Sequence, residues 1–146
     1  MFKNILLATD GSSASEHAAK LAAGLARSQG AHLTAVYVVD PYPYLGLADT
    51  NPMGLYAYLS AARDHAAGAH AKVMALCAES RPPVPLELRL VENTTAAKGI
   101  VQTAKDEACD LIVAGSHGRS GFDNMVLGSV AAKLLQLSPV PVLVAR

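Results

Sequence analysis

Five short apolar runs, each followed or preceded by a stretch of helical spacing, constrain this chain more than any other feature. The runs are Lys3 to Thr9, His32 to Val39, Val84 to Val91, Asp110 to Ala114 and Pro141 to Ala145. Leu111-Ile112-Val113-Ala114 has no polar alternation, the pattern of a parallel strand covered on both faces. Between the runs, Ala14, Ala18, Leu21, Ala22, Leu25 and Ala26 recur at helical spacing, and Gly30 supplies a stop. Ser13-Ala14-Ser15-Glu16 reads as a capping box, with Ser13 the cap and Glu16 reaching back. An Ala-rich helix is expected from about Met53 to Ser80, ended by Arg81-Pro82-Pro83. A third helix starts at Thr94 or Thr95 and runs to about Glu107, with Ala97, Ile100, Val101, Ala104 and Ala108 inward. The last runs from about Gly128 to Leu137. Strictly alternating strands and helices imply an α/β fold: a single open five-stranded parallel sheet with helices on both faces. Periodicity leaves the strand order open.

A length of 146 residues suits one domain spanning 1–146. Twelve basic and twelve acidic residues give a formal net charge of zero and form no like-charge block. Nucleic-acid binding through a basic face is therefore not expected. Neutrality also removes a barrier to self-association. The apolar start ends at Asp10, too short for a secretory signal. No run approaches the roughly 20 apolar residues of a membrane span. A cytoplasmic, not membrane-embedded protein is expected. Cys77 and Cys109, in apparent helix, read as buried free thiols, which suits a reducing compartment. His65 and His70 are five apart, off the three-or-four spacing of ligands on one helical face, and read as surface or satisfied histidines.

The chemistry gathers near the C-terminus. Gly115-Ser116-His117-Gly118 exits the fourth strand, and after nine further residues Gly128-Ser129-Val130 opens the last helix. Glycine at a strand exit allows positive φ and close approach of a ligand. Ser129 brings a hydroxyl and an N–H to the positive end of a helix, where anions bind. A plain glycine-rich turn would look the same. The motif is not a Walker A loop, because no Gly-Lys-Ser/Thr stands at the required spacing. Nor is it a dinucleotide fingerprint, which would follow the first strand, where only Asp10-Gly11-Ser12 stands. His117 lacks an acidic partner nearby in sequence, so a general base is not expected there. Arg119 is either a phosphate partner or an exposed loop arginine.

Gly-x2-Gly-x9-Gly-Ser resembles the nucleotide-binding signature of the ATP-binding branch of the universal stress protein family. The opening Asn4-Ile5-Leu6-Leu7-Ala8-Thr9-Asp10-Gly11-Ser12 resembles that family's first strand, Tyr37-Val38-Val39-Asp40 the end of its second, and Ser138-Pro139-Val140-Pro141-Val142-Leu143-Val144 its last. The resemblance implies strand order 3-2-1-4-5, so that the first and fourth strands are neighbours and the two motifs form one site at the switch point. It implies that Asp10 lies beside an adenosine, that Ala8 and Thr9 meet the base through backbone, and that the Val38 backbone meets the adenine edge. Gly115, Gly118, Arg119, Gly128, Ser129 and Val130 would take the remaining nucleotide. The implied ligand is ATP, with any Mg or Mn ion carried by the phosphates. It also implies a homodimer paired through the C-terminal strand, and a regulatory stress-response role toward an unidentified protein partner. At most weak ATPase activity is expected. A slow ATPase or phosphotransferase using Asp10 or His117, and a ligand-independent interaction module, are the alternatives. Val142→Lys tests the pairing if that side chain points into the interface.

Overall fold

In a computed structural model, which describes residues 1–42, 52–117 and 127–146, the expected alternation is present. The elements are β1 (Asn4–Ala8), α1 (Ser13–Gln29), β2 (His32–Val38), α2 (Pro52–Glu79), β3 (Leu86–Val91), α3 (Ala96–Asp106), β4 (Leu111–Gly115), α4 (Ser129–Leu137) and β5 (Val142–Ala145). The five strands form one sheet in the order β3-β2-β1-β4-β5, and every neighbouring pair is parallel.

Strand alternation divides the core into two layers. Ile5, Leu7, Leu33, Ala35, Leu111 and Val113 face Ala18, Ala22 and Ala26 of α1 and Val73 and Cys77 of α2. Leu6, Val36, Ile112 and Ala114 face the other way, onto Ala97, Ile100 and Ala104 of α3 and Leu134 of α4. The alanines keep helix backbones close to the sheet. No helix of the described residues is long and apolar enough to cross a membrane.

Several local expectations need correction. Ser12, not Ser13, caps α1: its hydroxyl accepts the Ser15 N–H at 3.3 Å. Glu16 does not reach back but pairs with Lys72 of α2, an exposed contact. Gly30 ends the helix in the left-handed conformation, at φ 63°, as its composition requires. Leu21 shares the helical spacing yet is 43% exposed, because the alanine stripe beside it faces the sheet. Ala108 is not inward. α3 stops at Asp106, and Ala108 sits exposed in the following turn at φ 52°. Cys109 lies beyond that helix, although it is buried and free like Cys77. Burial, then Glu107 and Asp110, push its thiol pKa up to about 11, so it stays protonated. Val142 packs partly buried against the α3–α4 layer, so a lysine there would strike the core.

His70 is neither a surface nor a satisfied histidine. It is buried, its Nε2 has no hydrogen-bond partner, and its ring meets Tyr37 edge-on at 6.4 Å. Burial lowers its pKa below the ordinary value. The unfolded chain therefore binds the proton more readily, and stability is lost as pH falls below the unfolded value of about 6.5. Thermal melting should show a fall from pH 7 to pH 5 that is smaller in His70→Leu. An equal fall in both proteins would reject His70 as a source of acid sensitivity.

Candidate functional site

β1 and β4 lie side by side, but the chain leaves them in opposite directions, toward β2 and toward β5. Crevices form where connections diverge, beyond the carboxyl ends of the strands. A cavity of about 320 Å³ opens there, at the lower end of the range for small-molecule sites. Ala8, Thr9 and Asp10 line it from the end of β1 and just beyond, Val36, Val38 and Asp40 from the end of β2 and just beyond, and Ala114, Gly115 and His117 from the end of β4 and just beyond. Ser15 of α1 and Ala96 and Ile100 of α3 add to the wall, and Gly128, Ser129, Val130 and Ala131 close it from the start of α4. Eight candidates named from the sequence thus border one cavity: Ala8, Thr9, Asp10, Val38, Gly115, Gly128, Ser129 and Val130. Gly118 and Arg119 lie outside the described residues.

Three helices, α1, α3 and α4, start at this cavity, and the starts of α1 and α4 differ. The first turn of α1 is claimed by Ser12, whose hydroxyl takes the Ser15 N–H. The residue before α4 is Gly128, which has no side chain to cap with. The N–H groups of Ser129, Val130 and Ala131 belong to a first turn that has no intrahelical acceptor for them. These three residues line the cavity. α4 therefore offers N–H groups and the positive end of its dipole to an anion.

The cavity also has apolar lining. Ala8, Val36, Val38, Ala96, Ile100 and Ala114 form an apolar wall. Gly99 lets α3 seat against it: a Cβ there would stand 2.9 Å from Val38 Cγ2. Two carboxyl groups, those of Asp10 and Asp40, line the cavity as well, and an ionised carboxylate only accepts hydrogen bonds. Asp10 is oriented by its own turn, with Oδ1 accepting the Ser12 N–H at 2.9 Å. Thr9 is fixed by its N–H to the Val36 carbonyl at 3.0 Å, and its hydroxyl lies 3.4 Å from the Ser15 hydroxyl.

The glycines play a different part from the one expected of them. Neither Gly115 nor Gly128 has positive φ. A Cβ on Gly115 would lie 3.0 Å from the carbonyl carbon and the Cβ of Ala14. A Cβ on Gly128 would lie 2.9 Å from His117 Cα and from the Ser116 carbonyl oxygen. Both glycines thus clear space for protein backbone. The Gly128 N–H donates to the Ser116 carbonyl at 2.6 Å, which holds the start of α4 against the exit of β4. His117 Nδ1 meets the Ser116 hydroxyl at 3.1 Å, and among the described residues no carboxylate is bonded to the ring to orient it as a base.

Sequence reasoning missed Ser15, Val36, Asp40, Ala96, Ile100, Ala114 and Ala131 as wall residues. Asp40 stood in the quoted end of the second strand, and Ile100 was already an inward helical position. What placed Ala96 and Ile100 at a cavity is the seating of α3 on β2, which no local pattern encodes.

A family model described as the universal stress protein family matches residues 1–146. The chain is 37% identical to a universal stress protein of Thermus aquaticus over 147 aligned residues, covering the whole of both chains. Its fold is similar to that of the universal stress protein UspA from Lactobacillus plantarum, with a TM-score of 0.84, 28% identity, and coverage of 99% of this chain and 97% of the other. A universal stress protein solved in complex with cAMP is similar at a TM-score of 0.63 and 26% identity, covering 99% and 97% of the two chains.

Proposed function

The chain belongs to the universal stress protein family, and we propose that within it this protein is an ATP-binding regulatory module that senses or signals through bound adenine nucleotide as a homodimer. The observation that carries the reading is the cavity at the β1–β4 switch point, whose lining combines apolar side chains with the start of α4, where Gly128 supplies no side-chain cap. An adenine suits the apolar wall of Val36, Val38, Ala96 and Ile100. Ribose hydroxyls suit Asp10 and Asp40, which accept. Phosphates suit the N–H groups and hydroxyl at Ser129, with Gly118 and Arg119 proposed to complete the binding set. The similar protein solved with cAMP supports an adenine nucleotide as the ligand class.

Among the described residues no three metal-ligating side chains cluster, so a Mg or Mn ion is proposed to arrive with the phosphates. Hydrolysis is proposed to be slow or absent, since the histidine beside the cavity engages a hydroxyl rather than a carboxylate. The dimer reading is supported by β5, which is an edge strand of half-buried valines and leucine, and by Leu135 and Leu137 of the adjoining α4, 52% and 48% exposed. A two-fold pair would bury the same patch of each chain. A cytoplasmic setting is proposed, in keeping with two buried free thiols.

Native mass spectrometry of freshly purified protein tests both parts in one measurement. The expected species is a dimer carrying one adenine nucleotide per chain, with the ATP intact after many minutes. A ligand-free chain that also fails to take up added ATP would reject the nucleotide reading, and a monomer would reject the pairing.

A further inference from the structure

The long helix α2 grips the backbone at the tips of two strands that border the nucleotide cavity. His65 Nε2 lies 3.0 Å from the carbonyl oxygen of Asp10, fifty-five residues away in sequence. A carbonyl only accepts, so Nε2 carries the proton and donates it. Gly11, next in the chain, turns at φ 80°, and a Cβ on it would stand 3.0 Å from that same Nε2. The imidazole plane is itself held: the ring of Tyr37, 1% exposed, meets it edge-on at 5.8 Å. Two turns earlier on α2, the Tyr58 hydroxyl donates to the carbonyl of Asp40 at 2.7 Å. Positions 58 and 65 are seven apart and therefore share one helical face. Both acceptors, Asp10 and Asp40, line the cavity.

We propose that His65 is a positioning residue for the nucleotide site, fixing the Asp10 turn from α2 while Tyr58 fixes the Asp40 tip. The route is short. Asp10 Oδ1 is tied to the Ser12 N–H at 2.9 Å, so the direction of the carboxylate follows the turn, and the turn is pinned at its carbonyl by His65. With the pin removed, the carboxylate would sample orientations that do not meet a ribose, and binding would first have to select the correct one. α2 then becomes coupled to ligand occupancy, because whatever stabilises its grip on Asp10 favours binding, and binding favours the grip to the same degree.

The consequence for affinity rests on the adenine-nucleotide reading, whereas the consequence for the turn does not. The experiment therefore reads both, in wild type, His65→Leu and His65→Gln. Leucine keeps the bulk and loses the donor. Glutamine restores a donor of similar reach. Exchange of the Ser12 amide in nucleotide-free protein reports the turn, and calorimetric titration with adenosine reports the site. His65→Leu should speed Ser12 exchange about fivefold and weaken adenosine about fivefold, the scale of one intramolecular hydrogen bond. His65→Gln should return both to within about twofold of wild type. Tyr58→Phe should weaken adenosine while leaving Ser12 exchange at its wild-type rate. Unchanged Ser12 exchange in His65→Leu, or equal effects of leucine and glutamine, would overturn the proposal in favour of simple packing. If wild type takes up no adenosine, the nucleotide reading falls, and Ser12 exchange still decides whether His65 holds the turn.

Discussion

Gly115→Val is expected to destabilise the fold by about 3 kcal/mol, at the upper end of the cost of overpacking a core. The position ends β4, a central strand whose neighbours are β1 and β5. The first Cβ alone would stand 3.0 Å from the carbonyl carbon of Ala14 and 3.1 Å from its oxygen. Those are backbone atoms in the first turn of α1, and they cannot swing aside as a side-chain tip can. α1 would have to lift from β4 and take Ala14 and Ala18 with it, both buried. Urea unfolding of nucleotide-free protein measures the effect as a lower midpoint with an unchanged slope. An unchanged midpoint together with lost ATP binding would restore the other reading, in which the glycine clears space for ligand.

The same residue shows how far the chain could be read from its letters. Gly115 and Gly128 both line the cavity, yet neither takes the positive φ that a glycine at a strand exit allows. Glycine in a sequence reports only that something comes close, and here the close partners are Ala14, Ser116 and His117. The five strands and four helices were legible because apolar spacing is a local property, written within each element. The strand order was not, since it depends on which apolar face meets which, and only the family resemblance supplied it. The cap of α1 slipped by one residue because Ser12 and Ser13 are chemically equal candidates, and backbone conformation alone selects Ser12, at φ −71° and ψ 165°. His70 was misread for a related reason. Its helix is alanine-rich on all sides, so its spacing does not reveal which face Tyr37 will cover. Asp40 was overlooked because its place at the cavity follows from the parallel register of β1, β2 and β3, which no local spacing reports.

Ser129→Asp should separate stability from binding, with opposite signs on the two. α4 has no acidic residue in its first turn. A carboxylate there would meet the positive end of the helix dipole and stabilise the folded protein by about 0.3–1 kcal/mol. The same carboxylate would claim the first-turn N–H groups that are proposed to hold phosphate, and it would face that phosphate with like charge. Two unit charges about 4 Å apart repel by about 4 kcal/mol at the effective dielectric of a protein surface. Removing the hydroxyl alone, in Ser129→Ala, is expected to cost about 1–3 kcal/mol in ATP affinity, the scale of a lost hydrogen bond to a charged group. The aspartate variant adds repulsion to that loss, so ATP affinity should fall by about a hundredfold or more, since each tenfold is about 1.4 kcal/mol. Adenosine carries no phosphate and should bind the variant within about threefold of wild type, because a loss confined to phosphate contacts leaves its free energy within about 0.7 kcal/mol. Calorimetric titration of both ligands and a melting curve of the free protein give the three numbers. Equal losses for ATP and adenosine would place Ser129 against the nucleoside instead, and equal retention of both would remove the start of α4 from the phosphate site.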